Sequence, residues 1–158
     1  MGGGDSRLVD YLLDRSVTCI TVLDISADAL ARAQQRLGPR RGQVRWIEAD
    51  VTGEWSVPRV DIWHDRAVFH FLVEAEDRAR YRERILQGLR PGGSAVIATF
   101  GPQGPLTCSG LPTARYSPEQ LAAELGGAFR LRETIREMHR TPTGTTQEFW
   151  YCRFTLEW

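Results

Sequence analysis

A run of glycines and an aspartate are spaced as they are in a nucleoside-binding site. Gly2, Gly3 and Gly4 precede a predicted helix. Such a loop lets a ligand approach the backbone while the helix N–H groups point toward it. Asp24 follows Gly4 by 20 residues, at the end of a predicted strand. A carboxylate at that spacing accepts the hydroxyls of an adenosine ribose.

A third element, Asp50-Val51, ends a later predicted strand. Its carboxylate is suited to the adenine amino group, and its valine to the face of the adenine ring. Each element also has an ordinary explanation: the glycines as a loose chain end, Asp24 as a helix-capping residue, and Asp50 as part of a turn. Taken together, the three favour an adenosine-containing ligand.

The residues beside the glycines help to distinguish two such ligands. A nicotinamide dinucleotide site typically has the pattern G-x-G-x-x-G, and here Arg7 stands at the third glycine position. Asp5, expected in the first turn of the helix, would repel a diphosphate. A ligand that carries a sulfonium and an amino group tolerates this charge, so the balance favours S-adenosylmethionine over NAD.

The elements that position these residues alternate between helix and strand. Helices are predicted at residues 6–15, between the cap Ser26 and the stop Gly38-Pro39, at 75–89, and between Ser117 and Gly126. Strands are predicted at residues 17–23, 44–49, 60–63, 94–100, 129–138 and 147–156, with turns at Pro91-Gly92-Gly93 and Thr141–Gly144.

This alternation predicts an α/β, Rossmann-like fold: a mostly parallel sheet with helices on both faces and a C-terminal antiparallel hairpin. Ligands of such folds bind at the carboxyl ends of the strands. We therefore expect Gly4, Asp24, Asp50 and Asp65 to lie along one edge.

Composition limits the class of protein. The 158 residues suit one domain covering 1–158, and 20 basic side chains balance 20 acidic ones, which disfavours nucleic acid and membranes as partners. Every basic residue is arginine, so catalysis by lysine is excluded.

Three scattered cysteines without a C-x-x-C pair disfavour a metal site and fit reduced thiols in a cytoplasmic protein. The sequence also shows neither a signal segment nor an apolar run near the roughly 18 residues of a membrane span.

The chain resembles the class I S-adenosylmethionine-dependent methyltransferases. The matching segments are GGGDS, TVLDIS, EADV, VDIWHDRAVFHF and LRPGGSAVIATF, which together span nearly the whole sequence. The resemblance implies a methionyl group on the glycine loop, a ribose on Asp24, an adenine near Asp50, and transfer near residues 64–70. The cofactor-binding residues expected on this basis are Gly2, Gly3, Gly4, Asp24, Ile25, Asp50, Val51, His64 and Asp65.

One departure from the family concerns the start of the chain. Members carry a strand before the glycine loop, whereas here Met1 directly precedes Gly2. That strand is central in the family's sheet. At roughly 1.5–3 kcal/mol for each buried apolar side chain, four or five such residues rival the net stability of a domain. We therefore interpret the chain as an N-terminally truncated member of the family.

The candidate catalytic residues follow the fourth predicted strand. His70 is placed to act as a general base or as a buried structural histidine, and Arg66 to clamp an acidic acceptor or to pair with Asp65. The loop at residues 101–115, which contains Cys108, is expected to act as a lid. The sequence thus predicts methyl transfer to a small molecule. The alternatives are an NAD-linked oxidoreductase and a non-catalytic domain that binds an adenosine ligand.

Overall fold

The structure, a computed structural model, describes residues 1–141 and 144–157. The expected loop at Thr141–Gly144 therefore lies partly outside the described residues. The chain forms two compact units, Met1–Trp55 and Ser56–Trp158. That residues 1–158 act as one domain stays a prediction.

The first unit is a strand–helix–strand unit preceded by a short helix. Its elements are α1 (Leu8–Asp14), β1 (Ile20–Asp24), α2 (Ala27–Leu37), a 3₁₀ segment (Gly38–Gln43) and β2 (Val44–Glu48). β1 and β2 run parallel, with Asp24 opposite Glu48, because α2 returns the chain to the starting end of the sheet. The core of this unit consists of Val9, Val22, Leu30, Leu37 and Val44.

Local signals explain the limits of α2 and β1. The Ser26 side chain caps α2 by accepting from the Ala29 N–H at 3.2 Å, and Gly38, at φ +57°, ends it. β1 begins at Ile20 rather than at the predicted Val17, because the Val17 N–H bonds to the Leu12 carbonyl and closes the end of α1. The predicted helix at 6–15 likewise contracts to Leu8–Asp14.

Three ion pairs join the N-terminal segment to α2 and to the 3₁₀ segment that follows it. Arg32 and Arg36, four residues apart, lie on one face of α2, and Arg40 lies in the 3₁₀ segment. The pairs are Asp5–Arg32 at 2.7 Å, Asp10–Arg36 at 2.9 Å and Asp14–Arg40 at 2.6 Å. We refer to these three pairs as the arginine ladder.

The second unit contains a four-stranded mixed sheet. Its elements are β3 (Val60–Arg66), a 3₁₀ turn (Phe69–Phe71), α3 (Ala75–Gly88), β4 (Leu89–Phe100), β5 (Thr107–Cys108), β6 (Leu111–Pro112), α4 (Pro118–Leu125), β7 (Phe129–Arg140) and β8 (Thr146–Leu156). The strand order is β3-β4-β8-β7. β3 is parallel to β4, and the β7–β8 hairpin is antiparallel, as the sequence predicts.

The two faces of β3 point to different surroundings. Trp63 and Asp65 lie on the face covered by α3, where both contact Tyr81. His64 and Arg66 lie on the opposite face, because side chains alternate along a strand. Arg66 and the ends of the neighbouring strands meet there, around a cluster of Ala98, Phe100 and Phe149.

In the second unit, the structure differs from the sequence prediction at one turn. The turn expected at Pro91–Gly93 is a bulge inside β4: Val60 pairs with Leu89, and Ile62 already pairs with Ser94. Gly93 is required there, since an added Cβ would lie 2.7 Å from the Arg90 carbonyl oxygen. Within the second unit the sheet is mixed: β3–β4 is a parallel pair, whereas β4–β8 and β8–β7 are antiparallel pairs.

Candidate functional site

Asp24 holds the glycine run to the carboxyl end of β1. Its Oδ2 accepts from the Gly4 N–H at 3.0 Å, and its Oδ1 accepts from the Ser26 N–H at 2.9 Å. The Gly3 N–H also donates to the Leu23 carbonyl at 3.3 Å. The glycines therefore form an ordered loop rather than a loose chain end. Each Asp24 oxygen keeps a lone pair with which to accept a ligand hydroxyl.

Close packing explains why the loop consists of glycines. A Cβ on Gly4 would lie 2.5 Å from the Ala29 Cβ, closer than real side chains approach, and 3.2 Å from the Asp24 carboxylate. Gly2 has a φ of +60°, a conformation that favours glycine. The sequence Gly2–Gly4 thus lets the backbone lie directly against the start of α2.

Asp5 does not lie in the first turn of α1, where the sequence predicts it. Asp5 lies before α1, which begins at Leu8, and its carboxylate pairs with Arg32 through two hydrogen bonds of 2.9 and 2.7 Å. The hydrogen bond from Arg32 lowers the pKa of the Asp5 carboxyl. Since this arginine offsets the charge, repulsion by Asp5 is a weak argument against a diphosphate.

The ends of β1 and β2 lie side by side in the first unit. The Ala49 N–H donates to the Asp24 carbonyl at 3.0 Å. Asp50 Oδ1 accepts from the Thr52 N–H at 2.8 Å, while Asp50 Oδ2 makes no hydrogen bond within the described ranges. Val51 is buried, whereas Ile25 is 70% exposed directly after Asp24. An apolar side chain and a carboxylate oxygen are therefore available near the ribose position that the sequence predicts.

In the second unit, Asp65 belongs to a buried hydrogen-bond network. Its Oδ2 accepts from the Tyr81 hydroxyl at 2.8 Å, and its Oδ1 accepts from the Val68 N–H at 3.0 Å. The Tyr81 oxygen in turn accepts from Trp63 Nε1 at 3.0 Å. Burial raises the pKa of both the Asp65 carboxyl and the Tyr81 hydroxyl. Asp65 thus supports the turn after β3, and its predicted contact with the cofactor stays a prediction.

That turn contains a strained residue. Ala67 has a φ of +63°, a left-handed conformation that costs a non-glycine residue about 1–2 kcal/mol. It is held by the bond from the Ala67 N–H to the Ala98 carbonyl at 2.9 Å and by the Asp65–Val68 bond. Strain of this kind is concentrated at functional sites, and here it lies directly after Arg66, the last residue of β3.

Arg66 does not pair with Asp65. Its Nε donates to the Tyr151 hydroxyl at 2.7 Å, and its guanidinium carbon lies 4.8 Å from the centre of the Phe149 ring. Burial raises the pKa of the Tyr151 hydroxyl, and the nearby Glu137 carboxylate adds to this rise. Arg66 is therefore oriented by two residues of β8, and its Nη groups remain available.

His70 is a neutral, buried ring. Burial, reinforced by the charge of Arg66, lowers its pKa to about 4. Its Nδ1 accepts from the Phe100 N–H at 3.3 Å, so the proton of the neutral ring is on Nε2. Nε2 is buried and has no hydrogen-bond partner in the part of the chain that the structure describes. This arrangement favours the structural alternative for His70 over the general base.

The other two histidines lie on the same sheet. His64 is half-buried on β3, and burial, the largest cause, lowers its pKa to about 4. His139 Nδ1 lies 3.6 Å from Glu137 Oε1, and its ring meets Phe149 edge-on at 6.1 Å. The two histidines thus belong to different strands of the second unit's sheet, His64 to β3 and His139 to β7.

The segment after β4 is folded rather than open. Buried Glu148 anchors it: its carboxylate accepts from the Gln103 N–H at 2.7 Å and from Arg136 Nε at 2.7 Å. β5 and β6 form a small hairpin within it. Cys108, on β5, is half-buried against the cluster of Ala98, Phe100 and Phe149. A role of this segment as a lid stays a prediction.

Sequence reasoning missed three side chains that shape these arrangements: Tyr81, Tyr151 and Glu148. Tyr81 lies 16 residues from Asp65, and Tyr151 lies 85 residues from Arg66. Tyr81 lies on α3, and helical periodicity does not show which residue of the sheet it meets. Tyr151 and Glu148 lie on β8, whose alternating apolar pattern does not show which residues become neighbours across the sheet. Among the described residues, no helix combines the length and apolar character needed to cross a bilayer, and no three His, Cys, Asp or Glu side chains are grouped to hold a metal ion.

The glycine loop, the parallel strand pairs and the reversed C-terminal hairpin define a Rossmann-like α/β fold. A family model described as "Methyltransferase domain" matches residues 1–95. The chain is 32% identical over 101 residues to an uncharacterized methyltransferase of Mycobacterium tuberculosis (strain H37Rv), covering 63% of this chain and 48% of that protein. It is 31% identical over 108 residues to a malonyl-[acyl-carrier protein] O-methyltransferase of a Paenibacillus species, covering 65% of this chain and 38% of that protein.

Solved structures share the fold at low identity. The chain aligns with a TM-score of 0.79 and 20% identity to a structure described in a study of thioacetal formation during echinomycin biosynthesis, covering 99% of this chain and 74% of that one. It also aligns with a structure of the 1,6-didemethyltoxoflavin-N1-methyltransferase of Burkholderia thailandensis with bound 1,6-didemethyltoxoflavin and S-adenosylhomocysteine. The TM-score is 0.76 and the identity 23%, and the alignment covers 99% of this chain and 68% of that one.

The chain belongs to the class I S-adenosylmethionine-dependent methyltransferase family, which confirms the resemblance found in the sequence. The family match also disfavours the NAD-linked alternative. The chain spans about half the length of the mycobacterial relatives it matches.

Proposed function

We propose that this protein transfers a methyl group from S-adenosylmethionine to a small-molecule acceptor. The observation that carries the proposal is the placement of Asp24, whose two carboxylate oxygens meet the Gly4 and Ser26 N–H groups. This carboxylate is fixed at a strand end beside a loop that admits only glycine at position 4. Such an arrangement suits the ribose and methionyl parts of the donor.

The residues of the first unit fit this cofactor in chemical type. Asp24 supplies acceptors for ribose hydroxyls, Ile25 supplies an exposed apolar surface for an adenine face, and Asp50 Oδ2 supplies an acceptor for an amino group. We assign the methionyl chain to the backbone of Gly2–Gly4. When bound, the cofactor supplies an activated methyl group on a sulfonium, so alignment is the main task left to the protein.

The second unit supplies the candidates for holding the acceptor. Transfer forms a bond from an acceptor lone pair to the methyl carbon and breaks the carbon–sulfur bond, so a protonated acceptor must also lose a proton. His70 would have to release the Phe100 N–H before its Nδ1 could take that proton. We therefore assign Arg66 to bind the acceptor and His70, as a neutral ring, to position the turn after β3.

Isothermal titration calorimetry with S-adenosylhomocysteine and with NAD tests the donor site. We expect S-adenosylhomocysteine alone to bind. Asp24→Asn should weaken its binding by about 10- to 100-fold, because hydrogen bonds to a charged acceptor are worth about 1.5–3 kcal/mol. Asp28→Asn is the matched control, since Asp28 is exposed in the first turn of α2 and its loss removes the same charge.

Two results would contradict the proposal: binding of NAD in preference to S-adenosylhomocysteine, or equal affinities for the Asp24 and Asp28 variants. Turnover is measured separately as release of S-adenosylhomocysteine from S-adenosylmethionine across a panel of small-molecule acceptors. Tight donor binding without release from any acceptor would favour the non-catalytic alternative.

A further inference from the structure

The guanidinium of Arg66 is held in one orientation but is only partly used. It carries five N–H donors in a planar fork. The Nε–H donates to Tyr151 at 2.7 Å, and the plane lies near the Phe149 ring. Neither Nη atom makes a hydrogen bond or ion pair within residues 1–141 and 144–157. The pair of parallel N–H groups that matches a carboxylate is therefore left open.

The residues around Arg66 orient its guanidinium, and no described carboxylate forms an ion pair with it. Asp65 is turned to the opposite face of the sheet, where it is occupied by Tyr81 and Val68. The nearby carboxylate of Glu137 adds to the effect of burial in raising the pKa of the Tyr151 hydroxyl, which therefore keeps its proton. The Tyr151 oxygen accepts from Arg66 Nε at 2.7 Å. This bond fixes the fork and leaves its outer edge free for a ligand.

The position of Arg66 connects it with the acceptor. Arg66 is the last residue of β3, directly before the strained Ala67, at the carboxyl edge where ligands of such sheets bind. The half-buried side chains of Ala67, Cys108 and Tyr151 pack around the aromatic cluster at this edge. A positive fork beside apolar side chains suits a small molecule with one anionic group on an apolar body.

We propose that Arg66 is the specificity-determining residue for an acceptor that carries a carboxylate, which its Nη groups bind as a bidentate pair, and that Tyr151 is a positioning residue for Arg66. This inference rests on the proposed function, since it names the acceptor class of that reaction. The bidentate pair recognises the acceptor by shape as well as by charge. A neutral amide of the same shape is discriminated against, because its NH2 group leaves one of the two donors without an acceptor and it carries no charge.

Binding of benzoate to the full chain, measured by NMR titration, tests this inference without an identified acceptor. Benzamide is the matched neutral probe and phenyl phosphate the alternative anion. We expect benzoate to bind in preference to benzamide by about tenfold or more. Arg66→Gln should abolish this preference. Arg66→Lys, which keeps the charge but loses the fork, and Tyr151→Phe, which loses the orienting hydroxyl, should each reduce it by about three- to tenfold.

Several outcomes would overturn the inference. These are no binding of benzoate, equal affinities for benzoate and benzamide, a preference unchanged by Arg66→Gln, or stronger binding of phenyl phosphate. Calorimetry with S-adenosylhomocysteine accompanies each variant, and its affinity should not change. If donor binding fails in the wild-type chain while the benzoate preference persists, the proposed function fails and the anion site stands. If donor binding holds while the preference is absent, only the inference fails.

Discussion

The Tyr81→Phe substitution provides a sharp test of the buried network beneath the turn that carries Arg66. The change removes one oxygen atom and leaves the ring and its contact with Phe69 in place. Two hydrogen bonds are lost: the one donated to Asp65 Oδ2 at 2.8 Å and the one accepted from Trp63 Nε1 at 3.0 Å. Both partners remain buried, with Asp65 fully enclosed and Trp63 only 2% exposed.

The expected cost follows from these two bonds. A hydrogen bond to a charged group contributes about 1.5–3 kcal/mol, and a buried donor left without a partner costs about 1–3 kcal/mol. We therefore expect the free energy of unfolding to fall by roughly 3–5 kcal/mol. Equilibrium urea unfolding, followed by tryptophan fluorescence and by far-UV circular dichroism, measures this change. Tyr116→Phe is the matched control, because its ring also contacts Phe69 and its hydroxyl makes no hydrogen bond in the described ranges.

The pH dependence supplies a second readout. Burial raises the folded-state pKa of Asp65, and the Tyr81 hydroxyl, by stabilising the carboxylate, partly opposes this rise. A raised folded-state pKa favours the folded state at low pH, and this contribution is lost as the pH rises through that value. Tyr81→Phe should raise the pKa further, so its cost should be larger at the higher of two pH values. A cost below about 1 kcal/mol that matches Tyr116→Phe at both pH values would refute the reasoning.

Three further predictions concern other parts of the fold. Gly4→Ala should destabilise the first unit and weaken binding of S-adenosylhomocysteine, because its Cβ would lie 2.5 Å from the Ala29 Cβ; calorimetry and urea unfolding measure both effects. Ala67→Gly should be neutral or stabilising by up to about 1 kcal/mol, because glycine removes the cost of the positive φ; a loss of 1 kcal/mol in urea unfolding would contradict this. Stability should fall as the pH drops from 6.5 to about 4, because the unfolded chain binds protons that buried His70 does not; unfolding of a His70→Gln variant should show a smaller slope over this range.

Capping signals account for much of what the sequence predicts correctly. Ser26 and Gly38 mark the two ends of α2 because each acts on backbone groups within a few residues. At α4, Ser117 and Gln120 form the reciprocal capping box that their spacing predicts. The sequence also predicts that Gly4 and Asp24 lie at one strand edge, and the structure brings these two residues together through the bond from the Gly4 N–H to Asp24 Oδ2.

The errors in the sequence analysis have physical causes. The segment from Val17 is β-branched, yet its N–H closes α1, and the preference of its side chains for a strand is overridden. The role of His70 depends on its tautomer, which is set by the Phe100 N–H, 30 residues away. The partner of Arg66 depends on strand register, since Ala98 stands opposite both Arg66 and Tyr151. Contacts of this range are not encoded in the local pattern of a strand.

The arginine ladder does not by itself fix the alignment of α1 on α2. Sliding α1 along by one helical turn would bring Asp10 opposite Arg32 and Asp14 opposite Arg36, so two ionic contacts out of three would re-form in the wrong place. Charge alone therefore distinguishes poorly between the observed alignment and one shifted by a helical turn. The bond from the Gly4 N–H to Asp24 Oδ2 forms in the observed alignment alone. The loop proposed to receive the methyl donor therefore also selects the alignment of α1, the helix that follows it.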